Sequence, residues 1–269
     1  MVLQLENGLQ LVQRLQSELL ILPTTSTRLN EMLEGGVWSG EIYELVGSGR
    51  GKSSLAASLA ARALLRGCGV GWLASAGGLR LAAHRIHQLL PGTEEAGQLL
   101  KSVLMADVPD TPALLAALQR LWTSETALEL VVVDSFFGAV VEAAFSSTSL
   151  AQATVGEVVS LLRKLSSVRG AAVVLTGMGT GQSLGQRLSN LPSTRLHFQD
   201  VGEEAGCILT LLKSNRQATG KSVRVRRTPE GLEDVEESPP ASQMELNSSN
   251  SCDLEEAAEE SSRSPSPVL

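Results

Sequence analysis

The sequence predicts an α/β fold in which a mostly parallel central sheet is flanked by helices on both faces. Three observations lead to this prediction. Strand-like and helix-like segments alternate along most of the chain. Several strand-like segments, such as Leu128–Asp134, are continuous apolar runs, as expected for strands that are covered on both faces. A glycine-rich loop lies between an early strand and the helix that follows it.

The predicted elements follow one another from residue 24 onwards. A short helix at residues 28–33 has its N-cap signal in the segment that ends at Ser26, and the pair Gly35 and Gly36 ends it. The predicted strands cover residues 41–46, 70–74, 102–106, 128–134, 171–176, 194–199, 207–213 and 222–227. The predicted helices cover residues 53–66, 81–90, 111–122 and 154–169. After Leu191 three strands follow without a helix, and we expect the sheet to be antiparallel there.

Composition divides the chain into an N-terminal helix and linker (residues 1–23), a core (24–232) and an acidic Ser/Pro-rich tail (233–269). Leucines at helical spacing make the first twenty residues amphipathic. The tail holds ten acidic residues and one arginine, and we expect it to be disordered, either as a solubilising segment or as a phosphorylated regulatory one. The net charge of −7 therefore arises in the tail, so it does not argue against an anionic partner of the core.

Composition also excludes several classes of protein. The chain has 269 residues, of which 43% are hydrophobic, which is enough for a sizeable core and too much for wholesale disorder. Its three cysteines are too scattered for a disulfide scaffold or a zinc site. No apolar run reaches the ~18 residues that cross a bilayer, and the N-terminus does not resemble a signal peptide. We therefore do not expect a secreted or membrane protein.

The clearest functional motif is the loop VGSGRGKS at residues 46–53, between a predicted strand and a predicted helix. Its glycines allow backbone N–H groups to converge on phosphate oxygens, and the helix N-terminus adds a positive dipole end. The motif has Val46 where the pattern G-x-x-x-x-G-K-[ST] begins with glycine, so Gly47 is expected to act as the turn residue; a glycine-rich turn without a ligand is the alternative. The candidate ATP-binding residues are Gly47, Ser48, Gly49, Arg50, Gly51, Lys52, Ser53 and Ser54.

A magnesium ion would accompany ATP at this loop. The Ser53 hydroxyl is one candidate ligand, and Asp134 is the other, because it ends an apolar strand at the edge where ligands bind in open α/β sheets. The alternative is that Asp134 caps the next segment.

Several further strings make the chain resemble the RecA/RadA-type recombinase family from about residue 24 to residue 227. The segment before the loop has the family's short helix, paired glycines and a Gly-Glu at the strand start, here Gly40-Glu41. Within the family it is most similar to the eukaryotic paralogues of the D type. The strings that carry this similarity are GGL at 77–79, PSTR at 192–195 and KSNRQATG at 213–220.

The resemblance implies a RecA-like P-loop ATPase core that binds ATP and Mg²⁺. It also implies a nuclear subunit that assembles with other recombinase paralogues in a mediator complex. Such a complex would load a strand-exchange recombinase on single-stranded DNA, in the repair of double-strand breaks and the protection of replication forks. Two departures lead us to expect weak or partner-dependent hydrolysis. Ala76 stands where the family has a water-activating Glu, and Gly177-Met178 stand where it has a polar sensor of the γ-phosphate. The family's small N-terminal domain would be reduced to the first twenty-odd residues.

In the family, the segments after Asp134 and after Thr176 face DNA, and here they carry little positive charge. We therefore expect only weak binding of single-stranded or branched DNA. The alternative functions are a stand-alone DNA-stimulated P-loop ATPase, a kinase-like phosphotransferase, or a scaffold with a decayed nucleotide site. The candidate DNA-binding residues are Arg187, Arg216, Lys221 and Arg224.

Overall fold

The structure is a computed structural model that describes residues 7–9, 19–75, 77–178, 186–202 and 206–235. Within these ranges it describes every side chain except those of Thr93, Gln186 and Arg187. The expected N-terminal helix and the expected disordered tail lie almost entirely outside the described residues.

A nine-stranded sheet forms the centre of the core, with strand order β11-β10-β9-β8-β3-β7-β6-β4-β5. Strands β8, β3, β7, β6, β4 and β5 are parallel to one another, and β8 to β11 pair antiparallel, as expected after Leu191. A separate two-stranded sheet joins β1 and β2. The strands are β1 (Ile21–Leu22), β2 (Val37–Trp38), β3 (Ile42–Val46), β4 (Gly69–Ala74), β5 (Val103–Asp107), β6 (Leu128–Asp134), β7 (Ala172–Thr176), β8 (Thr194–Asp200), β9 (Cys207–Lys213), β10 (Ser222–Thr228) and β11 (Gly231–Asp234).

Helices cover both faces of the parallel part of the sheet. Several begin at side-chain N-caps: Ser26 accepts a hydrogen bond from the N–H of Leu29, and Asp110 accepts one from that of Ala113. The helices are α1 (Thr27–Met32), α2 (Lys52–Leu65), α3 (Leu79–Leu89), α4 (Thr93–Leu99), α5 (Thr111–Thr123), α6 (Phe136–Phe145), α7 (Ser149–Ser167) and α8 (Gln186–Ser189).

Two apolar cores lie on opposite faces of the sheet. The first is formed by α1, α2 and α3 with side chains such as Tyr43, Trp72 and Phe198. The second is formed by α5, α6 and α7 with side chains such as Val131 and Val173. Successive residues of one strand alternate between the two cores, so the continuous apolar runs are explained by burial on both faces.

The segment after Asp134 differs from the prediction. No helix was predicted between residues 134 and 154, and the structure has α6 there; α7 then begins at Ser149, five residues before the predicted start. The hydroxyls of Ser135 and Thr148 cap these two helices by accepting hydrogen bonds from the N–H groups of Gly138 and Ala151. A single polar cap residue does not produce an apolar periodicity. The hydrophobic pattern of the sequence therefore did not reveal where these two helices begin.

The core is also longer than residues 24–232. Leu22 is fully buried in the first core, and Glu233 and Asp234 belong to β11 rather than to the tail. Asp234 accepts hydrogen bonds from the Ser26 hydroxyl and from the N–H of Arg28, at 3.1 Å for the latter. Glu233 and Asp234 were assigned to the tail because they are acidic, but both carboxylates have partners on the core.

Strands β10 and β11 form a hairpin, and its second strand is hydrogen-bonded to the start of the core. The Thr25 hydroxyl donates to the carbonyl of Leu232 at 2.6 Å and accepts from the N–H of Leu232 at 2.8 Å. Leu232 in turn lies against Gly51, where a Cβ would be 3.0 Å from the Leu232 Cδ2 atom. The hairpin thus supports the glycine-rich loop from outside. Among the described helices, none has the length and apolar character needed to cross a membrane.

Candidate nucleotide site

The glycine-rich loop lies at the carboxyl end of β3, a central strand paired with β7 on one side and β8 on the other. Helix α2 begins at Lys52, directly after the loop, and Gly51 is its N-cap residue with a φ of +110°. The N-terminus of α2 therefore faces the space above the edge of the sheet, as a phosphate site requires.

Two glycines of the loop are required by its close packing on β8. Gly47 has a φ of +101°, and a Cβ there would lie 2.3 Å from the carbonyl oxygen of Phe198. Gly49 donates its N–H to the same carbonyl at 2.8 Å, and a Cβ there would lie 2.6 Å from the Cys207 Sγ atom. Gly47 thus has the left-handed conformation expected of the turn residue, and Val46 is simply the buried last residue of β3.

Lys52 is held inside the loop that precedes it. Its Nζ atom donates to the carbonyl oxygens of Gly47 at 2.6 Å and Gly49 at 2.7 Å, and lies 5.7 Å from the centre of the Phe198 ring. Burial lowers the pKa of Lys52 from its ordinary value, and the neighbouring Cys207 and Asp134 act in the opposite direction. The ammonium group is therefore fixed beside the backbone amides that would contact phosphate.

Asp134 ends β6, two strands from the loop. Its Oδ1 atom accepts a hydrogen bond from the Thr176 hydroxyl at 2.5 Å, and its backbone carbonyl accepts one from the N–H of Ser75 at 2.8 Å. The Ser75 hydroxyl also donates to the carbonyl of Ser135. These contacts from β4 and β7 fix the direction of the carboxylate at the edge of the sheet.

A cavity of about 570 Å³ brings the two motifs together. All predicted ATP-binding residues except Gly47 line it, and Asp134 lines it too. Its other lining residues were missed by the sequence analysis as site residues: Ala57, Trp72, Ser75, Gly78, Leu81, Ala82, Arg85, Ser135, Met178 and Arg227. Ser75 could have been found from its position at the end of a buried strand. Arg85 and Arg227 could not, because α3 and β10 reach the cavity only through the tertiary fold.

The hydrogen-bond donors and the oxygen ligands of this cavity fit a nucleoside triphosphate with Mg²⁺. Lys52 and the backbone amides at the start of α2 are suited to phosphate, while the exposed Ser53 hydroxyl and the Asp134 carboxylate are oxygen ligands of the kind that Mg²⁺ prefers. Among the described residues that line the cavity, Asp134 is the only carboxylate. Ala76, at the position of the expected missing acid, lies outside the described residues.

Of the predicted DNA-binding residues, the three whose side chains are described do not line this cavity. Arg216 stacks on the Trp38 ring, with its guanidinium carbon 3.9 Å from the ring centre, and its Nε atom lies 2.7 Å from Glu41 Oε1. Lys221 donates to the side chain of Gln217, and Arg224 lies on β10. The side chain of Arg187 lies outside the described residues.

Comparison with known proteins agrees with this geometry. No protein-family model matches the chain. The chain is 30% identical over 242 residues to DNA repair protein RAD51 homolog 4 of Mus musculus, a match that covers 80% of this chain and 73% of the mouse protein. It is 31% identical over 242 residues to DNA repair protein RAD51 homolog 4 of Bos taurus, with the same coverage. With its mostly parallel sheet and glycine-rich loop, the chain therefore belongs to the RAD51 family of RecA-type recombinases, as a paralogue similar to RAD51 homolog 4.

Proposed function

We propose that this protein is a nucleotide-binding subunit that acts in the repair of DNA by recombination. The observation that carries the proposal is the single cavity lined by Lys52, Ser53 and Asp134. The loop and the start of α2 would hold the triphosphate of ATP, and Ser53 and Asp134 would hold the Mg²⁺ that offsets its charge. The names of the two relatives support the assignment to DNA repair.

The proposed setting is a hetero-oligomer with other recombinase paralogues in the nucleus. In this setting the subunit belongs to a mediator complex that assists a strand-exchange recombinase at double-strand breaks and stalled forks. Family membership supports this setting. DNA binding by the isolated chain is weak, because Arg216 is paired with Glu41 and stacked on Trp38.

Hydrolysis by the isolated chain is slow. A general base must accept a proton from the attacking water, and the only carboxylate among the described cavity residues is Asp134, which is placed to bind the metal and bonded to Thr176. A partner subunit can supply the missing group, as an arginine finger does in other P-loop proteins. This role is distinct from a stand-alone ATPase, which would need no partner.

The test is ATP binding by the purified full chain in Mg²⁺, measured by titration calorimetry. We expect Lys52→Ala to abolish binding. Lys101→Ala is the matched control, because Lys101 is exposed and its side chain donates to Gln98 within its own segment, away from the cavity. Equal binding by wild type and Lys52→Ala, or no binding by wild type, would contradict the proposal.

Turnover and assembly separate the proposed subunit from the alternatives. Single-turnover and steady-state phosphate release should be slow for the chain alone and faster when a second RecA-fold subunit is added. Association with that subunit, followed by size-exclusion chromatography with light scattering, should be stronger in ATP than without nucleotide. Rapid multiple turnover by the chain alone would instead favour the stand-alone ATPase.

A further inference from the structure

A second cavity, of about 420 Å³, lies between the start of α5, helix α6 and the start of α7. The described residues that line this α5–α7 groove are different from those that line the nucleotide cavity. Its volume falls within the range of clefts that bind ligands. We infer that the α5–α7 groove docks a segment of a protein partner in which lysine or arginine is combined with large apolar side chains. The inference goes beyond the proposed nucleotide function and does not depend on it.

Hydrogen bonds hold the walls of the groove in place. The Thr111 hydroxyl at the start of α5 donates to the carbonyl of Ala139 in α6 at 2.8 Å. The side-chain amide of Gln152 in α7 donates to the carbonyl of Ser146, directly after α6, at 2.9 Å. Helix α6 is therefore fixed to the helices on both of its sides. A partner meets a surface that is already formed, so its binding costs less ordering of this chain.

Large apolar side chains are exposed at the groove. Leu150 lines it and is 77% exposed, the highest value of any large apolar side chain among the described residues. Phe145 is 66% exposed and lies three residues after the lining residue Glu142, a spacing that places the two on one face of α6. Small apolar side chains, including those of Ala139 and Ala151, line part of the remainder. Contiguous exposed apolar surface of this kind is typical of sites that bind another protein.

The charged residues that line the groove are acidic. They are Asp110 and Glu142, and none of the described lining residues is basic. Between Lys101 and Arg163 the chain has a single Lys or Arg, Arg120, which lies near the opposite end of α5 from the groove. A partner segment with lysine or arginine would therefore meet complementary charge, which speeds association and fixes orientation.

The same charges disfavour DNA as the occupant. Helix α6 belongs to the first of the two segments that the family resemblance led us to expect at DNA, yet it carries Glu142 and no Lys or Arg. Nucleic acids bind mainly by pairing their phosphates with cationic side chains. Phe145 could stack on a base, but sites for single strands combine such stacking with a positively charged groove. The groove therefore favours a basic protein segment over a nucleic acid.

The experiment measures the binding of a short fluorescein-labelled peptide, rich in lysine and leucine, to the full chain by fluorescence anisotropy. Glu142→Lys reverses one charge of the groove. Glu157→Lys is the matched control, because Glu157 is also an exposed glutamate on a helix but does not line the groove. We expect Glu142→Lys to weaken binding by about tenfold or more and Glu157→Lys by less than about twofold. Both variants keep the acidic tail, so its contribution is the same in each.

A second pair of variants tests the apolar contact. Leu150→Ser removes the most exposed apolar side chain of the groove, and Val168→Ser is its control, since Val168 is 70% exposed directly after α7. We expect Leu150→Ser to lose about fivefold in affinity for the peptide and Val168→Ser to bind as wild type does. A peptide with glutamate in place of each lysine should not bind. Thermal midpoints close to that of wild type show that the variants are folded.

The inference fails if the wild type does not bind the peptide, or if Glu142→Lys and Glu157→Lys weaken binding equally. The second outcome assigns the binding to the overall negative charge of the chain. A labelled oligothymidine that competes with the peptide and is weakened by Leu150→Ser would assign the groove to DNA instead. A dimer that is detected by light scattering and dissociated by Leu150→Ser would assign it to a second copy of the chain. None of these outcomes bears on ATP binding, which Lys52→Ala tests separately.

Discussion

The Nε atom of Arg195 lies 2.5 Å from Glu44 Oε2 inside the central sheet, and each side chain is 8% exposed. The two residues stand opposite each other on the paired strands β8 and β3. Glu44 is two residues before the end of β3, and the Nη2 atom of Arg195 also donates to the carbonyl of Ser189 at the end of α8. This ion pair therefore connects the strand that carries the phosphate loop with the segment after Thr176.

We expect Arg195→Met to lower the free energy of unfolding by about 3–5 kcal/mol, because it leaves the Glu44 carboxylate buried without its partner. Burial raises the pKa of Glu44, and Arg195 opposes that rise. Without Arg195 the folded state favours the protonated carboxyl. Stability is then lost as the pH rises through the raised pKa, so the deficit should be smaller at pH 5.5 than at pH 7.

Urea unfolding followed by circular dichroism measures these effects. The double variant Glu44→Leu with Arg195→Met should recover most of the loss. Arg226→Met is the control, since the Arg226–Glu233 pair is exposed and should contribute at most about 1 kcal/mol. An Arg195→Met loss no larger than that of Arg226→Met would show that the buried pair is not structurally important.

Gly47→Ala should disrupt the phosphate loop. The new Cβ would meet the carbonyl oxygen of Phe198 at 2.3 Å, in a backbone conformation with φ of +101° that alanine rarely adopts. We expect a loss of about 2–4 kcal/mol in the free energy of unfolding and loss of ATP binding. Gly97→Ala in α4 has open space and an ordinary φ, so it should stabilise the protein by about 0.5–1 kcal/mol. Unchanged ATP affinity in Gly47→Ala would contradict the described packing of the loop on β8.

Asp134→Asn should make ATP binding nearly independent of Mg²⁺. The amide is isosteric and can still accept from Thr176, but it removes the negative charge that the ion would contact. Titrations in Mg²⁺ and in chelator should differ by about tenfold or more for wild type and by little for the variant. Thr176→Val removes only the hydrogen bond that orients the carboxylate, and we expect a smaller loss of a few-fold in Mg²⁺. A larger effect of Thr176→Val than of Asp134→Asn would show that Asp134 is not the metal ligand.

Cys207 should resist alkylation in the folded protein. Its side chain is packed under Gly49, and burial raises the pKa of the thiol to about 11, with Asp200 acting in the same direction. In a Cys68→Ser, Cys252→Ser variant we expect no reaction with iodoacetamide at pH 8 by mass spectrometry, and rapid reaction in 6 M urea. The folded state favours the neutral thiol, so this contribution to stability is present below the ordinary thiol pKa and is lost as the pH rises through about 11. Rapid native modification at pH 8 would contradict the packing.

The parallel sheet and the phosphate loop could be predicted because their signals are local. Strand β6 was predicted with its observed bounds, and Lys52 and Asp134 were recognised from what precedes and follows them. Helix α6 was missed, since its boundaries depend on the Ser135 cap rather than on an apolar period. Trp72 lay in a predicted strand and Arg85 in a predicted helix, and only the tertiary fold brings both of them to the cavity. The partners of Arg216 could not be foreseen, because Glu41 is 175 residues away in sequence.

The contact between Thr25 and Leu232 has a consequence for the synthesis of the protein. The two residues are 207 positions apart, so at about 5–20 residues per second the ribosome needs roughly 10 to 40 s to add the second after the first. The glycine-rich loop is synthesised early in that interval, long before the side chain that will lie against Gly51. Closing so long a segment also makes this contact a late step of folding. A nascent chain stopped before Leu232 would therefore carry the phosphate-binding motif without the support that holds it in shape.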